Sequence, residues 1–464
     1  MKFILSIFLC ILGLITKAQY AHTYNVGTGS GNLTVDGNVT TFLPGSLIVI
    51  APGSYGTINI QNLTSETVEN GNGAVIMDGG NGTNNYAGIN MTSCNTTHIT
   101  RNPAIASTVP YGFICQNNNY RPTAISNRNM FDTLEWIEYY NIGDYVIYFS
   151  SSTSYVWDGT DATVQGKGLS LKNLLFDSCS ATCIEMPGSL STSAVTNLQR
   201  GTEFGYINFR WCDGGDLVFC QPIDQYTIHD CIGWQINNDN DDDNGLFHMV
   251  GNGDFYRNYF HEYQGHIIRM WTLSYGAIPE IDSVYDNISD SSYKYSPYEW
   301  QSTAGLNIPA APNTTYVNIR LNNNTHGDLN YSHQTSFDAC LVDNYSMPAG
   351  ATIQAKNNLL FNTFTSNGIA GRMYQFTQTG TDTTKNWYYT SATNAGFNIS
   401  TLYLTSTSPV INAGIPGFLL YPYDYHGVAF NISSPSIGAV QSYSSSPILA
   451  PNSFPRHHKK IIIE

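Results

Sequence analysis

Charge is scarce in this chain. Only 11% of its 464 residues are Asp, Glu, Lys or Arg, and 19 basic residues face 34 acidic ones, for a net charge of −15. A nucleic-acid binder needs a basic footprint to displace phosphate counterions, so that class of partner is excluded. Helical periodicity is missing too: no stretch keeps an apolar i, i+3, i+4, i+7 pattern for three turns, so helices are expected to be few and short. After residue 18 no apolar run is long enough to span a membrane, and no linker or shift of composition occurs before residue 442. What is abundant is Gly (41), Tyr (32) and apolar residues (42%), enough to bury a core, which excludes a disordered chain or a coiled coil.

Met1-Lys2, the apolar run Phe3 to Ile15 and the exit Thr16-Lys17-Ala18 have the basic start, short apolar stretch and small-residue end of a secretory signal, residues 1–18. Cleavage after Ala18 removes two lysines and no acids, so the exported chain is the more acidic form. Phe8-Leu9 before Cys10 offers no lipid-anchor cleavage box. The expectation is a secreted monomer, extracellular, periplasmic or on a bacterial cell surface. Cys94, Cys115, Cys179, Cys183, Cys212, Cys220, Cys231 and Cys340 remain after cleavage; export permits disulfides, a chain this long does not need them, and both states stay open.

Short runs rich in β-branched and aromatic residues recur: Leu47-Ile48-Val49-Ile50, Ile58-Asn59-Ile60, Val75-Ile76-Met77, Val146-Ile147-Tyr148-Phe149, Leu217-Val218-Phe219 and Ile267-Ile268. Each is bounded by turn formers and reads as a strand. A short element also repeats, in which a charged residue or His precedes Asn or Asp and an apolar residue follows. It occurs at Lys172-Asn173-Leu174, His229-Asp230-Cys231, Arg257-Asn258-Tyr259, Asp286-Asn287-Ile288, Asp343-Asn344-Tyr345 and Lys356-Asn357-Asn358-Leu359. Counted at the Asn or Asp, the steps are 57, 28, 29, 57 and 14 residues. One coil per 28 or 29 residues, with 57 as two coils, is the period of a parallel β-helix, in which equivalent side chains stack along the axis. A recurrent Asn at one bend can bond its amide to the Asn above and below.

The chain's ends carry a resemblance. Ser408-Pro409-Val410-Ile411-Asn412-Ala413-Gly414, Asp424-Tyr425-His426-Gly427 and Pro435-Ser436-Ile437-Gly438-Ala439-Val440 resemble the closing sequence of secreted bacterial right-handed β-helix proteins of the pectate-lyase-like superfamily. No Arg follows Gly427, and Ser436 stands where Asp is usual. Pro44-Gly45-Ser46-Leu47-Ile48-Val49-Ile50-Ala51-Pro52-Gly53-Ser54-Tyr55-Gly56 is similar to the first coil of such proteins. The resemblance implies an all-β fold: one single-stranded right-handed parallel β-helix with loop insertions over residues 19–441, and a flexible tail over 442–464. Roughly 11 to 14 coils at about 4.8 Å each would make a rod about 50 to 65 Å long. Residues 180–203, 291–316 and 366–395 carry little repeat signal and are expected to be insertions.

Candidate chemistry concentrates in the middle of the chain. Asn237-Asn238-Asp239-Asn240-Asp241-Asp242-Asp243-Asn244 crowds four carboxylates, which are either solvated or hold Ca²⁺ through Asp239, Asp241 and Asp243. Val250 occupies the place where an EF-hand loop needs Glu. Behind it come His248, Arg257, His261, Glu262, His266, Arg269 and Trp271. With Phe247 and Met249 inward, His248 faces out; with Tyr256 and Phe260 inward, Arg257 and His261 share an outer face. The repeat register sets Arg257 beside His229 and Asp286. Strict alternation separates His266 from Arg269 unless a bend intervenes.

A polysaccharide lyase needs a base for the C5 proton and a neutraliser of the uronate carboxylate. His229, His248, Arg257 and His261 are the candidate catalytic residues, with Glu262, His266, Arg269 and Trp271 as substrate contacts. Hydrolysis by paired carboxylates is the alternative. The polygalacturonase pattern is not matched: Asn238-Asp239-Asn240-Asp241 merges with Asp242-Asp243, Ile267 follows Gly265-His266, and no Arg-Ile-Lys occurs. The third reading is a non-catalytic glycan-binding or adhesin rod using exposed Trp and Tyr. The expected partner throughout is a polysaccharide, with no organic cofactor.

Overall fold

The computed structural model describes residues 20–80, 87–150, 154–191, 194–237, 245–276, 278–303, 315–333, 339–345, 347–365, 370–376, 379–417, 419 and 422–441. Residues 1–18, expected to be a secretory signal, Asp239, Asp241, Asp243 and residues 442–464, expected to be a tail, lie outside them.

Strands too short to bury an apolar face alone are stacked coil on coil, and the chain winds as a right-handed parallel β-helix with three sheets. The first runs from Thr23–Val26 through His98–Thr100, Ser170–Lys172 and Val317–Asn322 to Thr381–Asp382. Twelve successive parallel pairings along it make thirteen levels, within the number of coils expected and about 58 Å of rise. The second contains Phe113–Asn118, Ile232–Ile236, Tyr259–Tyr263 and Ile288–Ser292; the third contains Ile184–Pro187, His266–Thr272 and Tyr298–Ser302. Two long strands, Val218–His229 and Gly245–Tyr256, bend from the third sheet into the first.

The interior is a column of apolar side chains in register. Tyr139, Phe176 and Phe209 stack ring on ring at 5.1 and 5.3 Å. All eight described cysteines are buried thiols. At the bend between the first and second sheets the chain takes a left-handed residue in coil after coil: Asn173, Tyr206, Asp230, Arg257, Asp286, Asn323, Asn357 and Lys385. The following residue points inward and builds a buried ladder. The Asn258 amide donates to Asn287 at 3.0 Å, Asn287 to Asn324 at 3.0 Å, Asn324 to Asn358 at 3.0 Å, and Asn358 to Asn386 at 2.8 Å. Each side-chain oxygen also accepts the backbone N–H of the Asn in the coil before it.

The ladder corrects the repeat. Asp230 stands level with Arg257 and not with Asn258, whose partner in the preceding coil is Cys231. Asn344 belongs to the third sheet, paired near Trp300, and is no rung. Coils are unequal: 24 residues separate the paired Asn208 and Ile232, and 37 separate Asn287 from Asn324. The stretches expected as insertions are partly in the stack. Ile184–Pro187, Tyr298–Ser302 and Trp387–Tyr389 are coil strands, whereas Ser189–Leu190 and Val195–Thr196 form an antiparallel excursion.

The closing segment does not add another coil. It crosses the outside of the second sheet, where Phe397, Tyr403, Leu404, Val410, Tyr425, Ile437 and Val440 form a second apolar cluster with Ile288, Leu359 and Phe361. Ala439 N–H donates to Thr325 Oγ1 and Gly438 N–H to the Asn357 carbonyl, fixing the cover in place.

Candidate functional site

The residues singled out in the sequence fall into three groups at separate places around the rod. The first is the bend between the first and second sheets. His229 Nδ1 lies 2.8 Å from Asp230 Oδ2, and His229 Nε2 lies 3.0 Å from Glu203 Oε1. Asp230 in turn accepts two bonds from Arg257, at 3.1 and 2.6 Å. Burial alone would lower the His229 pKa, but the bonds to Asp230 and Glu203 outweigh it and raise it. The bond from His229 is the main cause that draws the Glu203 carboxyl down to about 2. Tyr256 faces outward, contrary to the alternation expected, because the left-handed Arg257 resets the phase; its ring stacks between His229 and Tyr285. Arg257 is therefore level with Asp230, and His229 level with Tyr256. Both nitrogens of His229 are engaged, so this group reads as a structural clamp.

The second group lies on the second sheet. His261 faces outward as expected, with Nδ1 bound to Asp290 Oδ1 and Nε2 3.6 Å from Glu262 Oε1. The Asp290 bond is the chief cause of a raised His261 pKa. Glu262 accepts the indole N–H of Trp234 at 3.2 Å and the amide of Gln235 at 2.9 Å. His261 thus shares neither a ligand nor a sheet with His229 or His248, and the single patch expected for His229, Arg257 and His261 is two groups.

The third group occupies the outer face of the third sheet. His248 and Arg269 are direct neighbours across adjacent coils, and Arg269 is level with Glu299. His248 faces out between the inward Phe247 and Met249, as expected. Its Nδ1 is 2.8 Å from Asp216 Oδ2, and Asp216 is itself held by the Gly245 N–H at 3.0 Å. The imidazole stands edge-on to Trp271 at 4.6 Å and to Phe219 at 5.1 Å. His248 Nε2 is buried and has no hydrogen-bond partner among the described residues. Gly245 must lack a side chain, since a Cβ there would lie 2.5 Å from Arg269 Cδ.

His266 and Arg269 do share a face. Ile267 and Ile268 both point into the core and both donate to the Pro297 carbonyl, so the alternation slips by one residue at the bend. Glu299, 1% exposed, gathers the group: Arg269 Nε lies 2.9 Å and His266 Nε2 3.4 Å from its Oε2, and the Trp271 indole donates to its Oε1 at 2.8 Å. Sequence reasoning missed Asp216 and Glu299. Each is an isolated acid about a coil's length from its partner, and only the register could have found it.

Chemically, the third sheet offers a nitrogen base whose other nitrogen is fixed by a carboxylate, a guanidinium one coil away, and aromatic walls. On this face Asp216 is bound to His248 and Gly245 and Glu299 to three donors, while Asp343 stands level with Glu299 in the next coil and Glu185 lies two coils before His248.

No family model matches the chain, and no curated protein matches it. Solved structures similar to it include the alginate lyase AlyGC, at 11% identity and a TM-score of 0.41 over 89% of this chain and 59% of that one. The pectate lyase Pel9A is similar at 13% identity and a TM-score of 0.35, over 92% of this chain and 98% of that one. A lacto-N-biosidase from Eubacterium ramulus is similar at 11% identity and a TM-score of 0.33, over 75% and 62%. The chain spans less than two thirds of the length of the alginate lyase. What is shared is a parallel β-helix fold.

Proposed function

We propose that the protein acts on a uronate-containing polysaccharide as a lyase, with His248 as the base on the outer face of the third sheet. The observation that carries this reading is the dyad itself: Asp216 fixes Nδ1 of His248, and Nε2 is buried, unpartnered and next to Arg269. In β-elimination Nε2 takes the C5 proton, the electron pair forms the C4–C5 double bond, and the C4–O bond breaks, its oxygen taking a proton from water. Arg269 faces the uronate carboxylate, on which negative charge grows as the proton leaves. Glu299 orients Arg269, His266 and Trp271; it is a positioning residue.

Calcium enters the proposal through the sequence alone. The acidic run ends at the residue before Gly245, the start of the strand that carries His248, and Asp239, Asp241 and Asp243 are oxygen donors of the kind Ca²⁺ takes. Export through residues 1–18 belongs to the same reading, as does action as a monomer; among the described residues no helix is long and apolar enough to cross a membrane.

The test is digestion of alginate and polygalacturonate by residues 19–464, with Ca²⁺ and with chelator, following ultraviolet absorbance of unsaturated uronates and new reducing ends. Absorbance that falls at least about a hundredfold in His248→Ala supports the proposal. Reducing ends without absorbance, or absorbance indifferent to that substitution, overturns it.

A further inference from the structure

One pair of aromatic side chains is left over by this reading. Trp211 follows the second-sheet strand Asn208–Arg210, and Trp234 lies on the strand of the next coil, paired through Arg210 and Trp234. Both are exposed, at 41% and 40%, whereas Trp157 and Trp300 are buried. Their ring centroids are 6.4 Å apart and their planes inclined by 33°.

The edges of both indoles are pinned. Trp211 Nε1 donates to Gln235 Oε1, and Trp234 Nε1 donates to Glu262 Oε2, which also accepts from Gln235 Nε2. The ring orientations are fixed before any ligand arrives, which spares the entropy of ordering them. With the N–H groups satisfied within the protein, the ring faces are what remains to bind. An apolar side chain of a protein partner would need a recess, whereas two faces repeating from coil to coil suit a ligand that repeats along the axis.

We propose that Trp211 and Trp234 form a second, non-catalytic carbohydrate-binding surface, which takes consecutive pyranose rings of a linear polysaccharide by stacking their apolar faces. Glu262, Gln235 and His261 border the rings and offer hydroxyl partners at the sugar edges. The surface lies on the second sheet, apart from the His248 group on the third, and it does not depend on the lyase reading. It gives His261 and Glu262 a role in binding rather than in proton transfer.

The test uses three insoluble probes, cellulose, xylan and calcium alginate beads, in depletion assays with residues 19–464. The wild type, the double substitution Trp211→Ala/Trp234→Ala and the double substitution Trp211→Phe/Trp234→Phe are compared, with the thermal midpoint of each as the folding check. The expected result is retention of the wild type on at least one probe, a loss of affinity of about tenfold or more in the Ala pair, and most of the affinity kept in the Phe pair. Soluble fragments of the retained polysaccharide should quench and shift wild-type tryptophan emission, and should leave the emission of the Ala pair unchanged. Equal retention of the wild type and the Ala pair, or no retention of the wild type on any probe, overturns the proposal. Release of unsaturated product from soluble alginate reports on the third sheet separately, so either site can fail while the other stands.

Discussion

At the scale of residues, the functional argument rests on how histidines are satisfied. His229 and His261 have both ring nitrogens near carboxylates, while His248 has one nitrogen held and the other buried without a partner among the described residues. Asp216→Asn keeps the shape of the His248 partner but removes the charge that steadies an imidazolium. It is expected to lower kcat on a uronate polymer by about a hundredfold or more with little change in KM, measured in steady-state kinetics. The His229 clamp makes a separate prediction about stability. Its pKa is raised above the usual 6.5, so its contribution is full below that value and is lost as pH rises through the raised one. Glu203 is lowered from 4.5 to about 2, so its contribution is present above 4.5 and is lost as pH falls toward 2. The clamp is therefore strongest between about 4.5 and 6.5. Glu203→Gln should depress the thermal midpoint most in that window and less as pH rises through the raised His229 value, in melts across a pH series. The outward face of His248 was legible in the sequence because alternation about Phe247 and Met249 is local. Asp216 and Glu299 were not, since their neighbours are set by stacking between coils of unequal length.

At the scale of elements, the asparagine ladder and the left-handed bend are one device. The residue at the bend adopts a left-handed backbone, and from Asn258 to Asn386 the next residue delivers an amide to a hydrogen-bonded column. Asn287→Ala would strand the backbone N–H of Asn258 and take from the Phe255 carbonyl its bond to the Asn287 amide, while the side-chain oxygen of Asn324 keeps the backbone N–H of residue 287 and the Tyr298 hydroxyl. A loss of about 2 to 4 kcal/mol is expected in denaturant melts. Asn386→Ala, at the ladder's last rung, should cost less because its bonds to Asn358 and the Ala355 carbonyl are only partly buried and water can replace them. Asn258, Asn287 and Asn358 were readable as repeats because a ladder works only if neighbouring coils carry the same residue. Asn324 was hidden by Asn322 and Asn323 before it, and Asn344 passed for a rung because its distance from Asn287 happened to equal two coils. The slip at Ile267 and Ile268, which brings His266 beside Arg269, leaves no trace in sequence, since two adjacent isoleucines fit a strand buried on both faces equally well.

At the scale of the molecule, stability comes from nearest-neighbour stacking, with a cover laid over one side. Removing residues 392–464 would bare Ile288, Leu359 and Phe361 on the second sheet. The shortened chain is expected to bind a hydrophobic dye and to form higher oligomers at concentrations where the full chain does not, as checked by fluorescence and light scattering. The architecture as a whole was legible from the ends and the repeat together. The placement of the closing segment across the second sheet was not, because apolar residues there fit an added coil as readily as a cover. That placement also sets an order in time. Early coils can settle on one another while the chain is still being made, but the cover comes from residues that follow them in the chain. Until those arrive, the sheet from Ile288 to Phe361 is a sticky surface waiting for a later segment of its own chain, and a cell making this protein must keep that interval short or guard it with a chaperone.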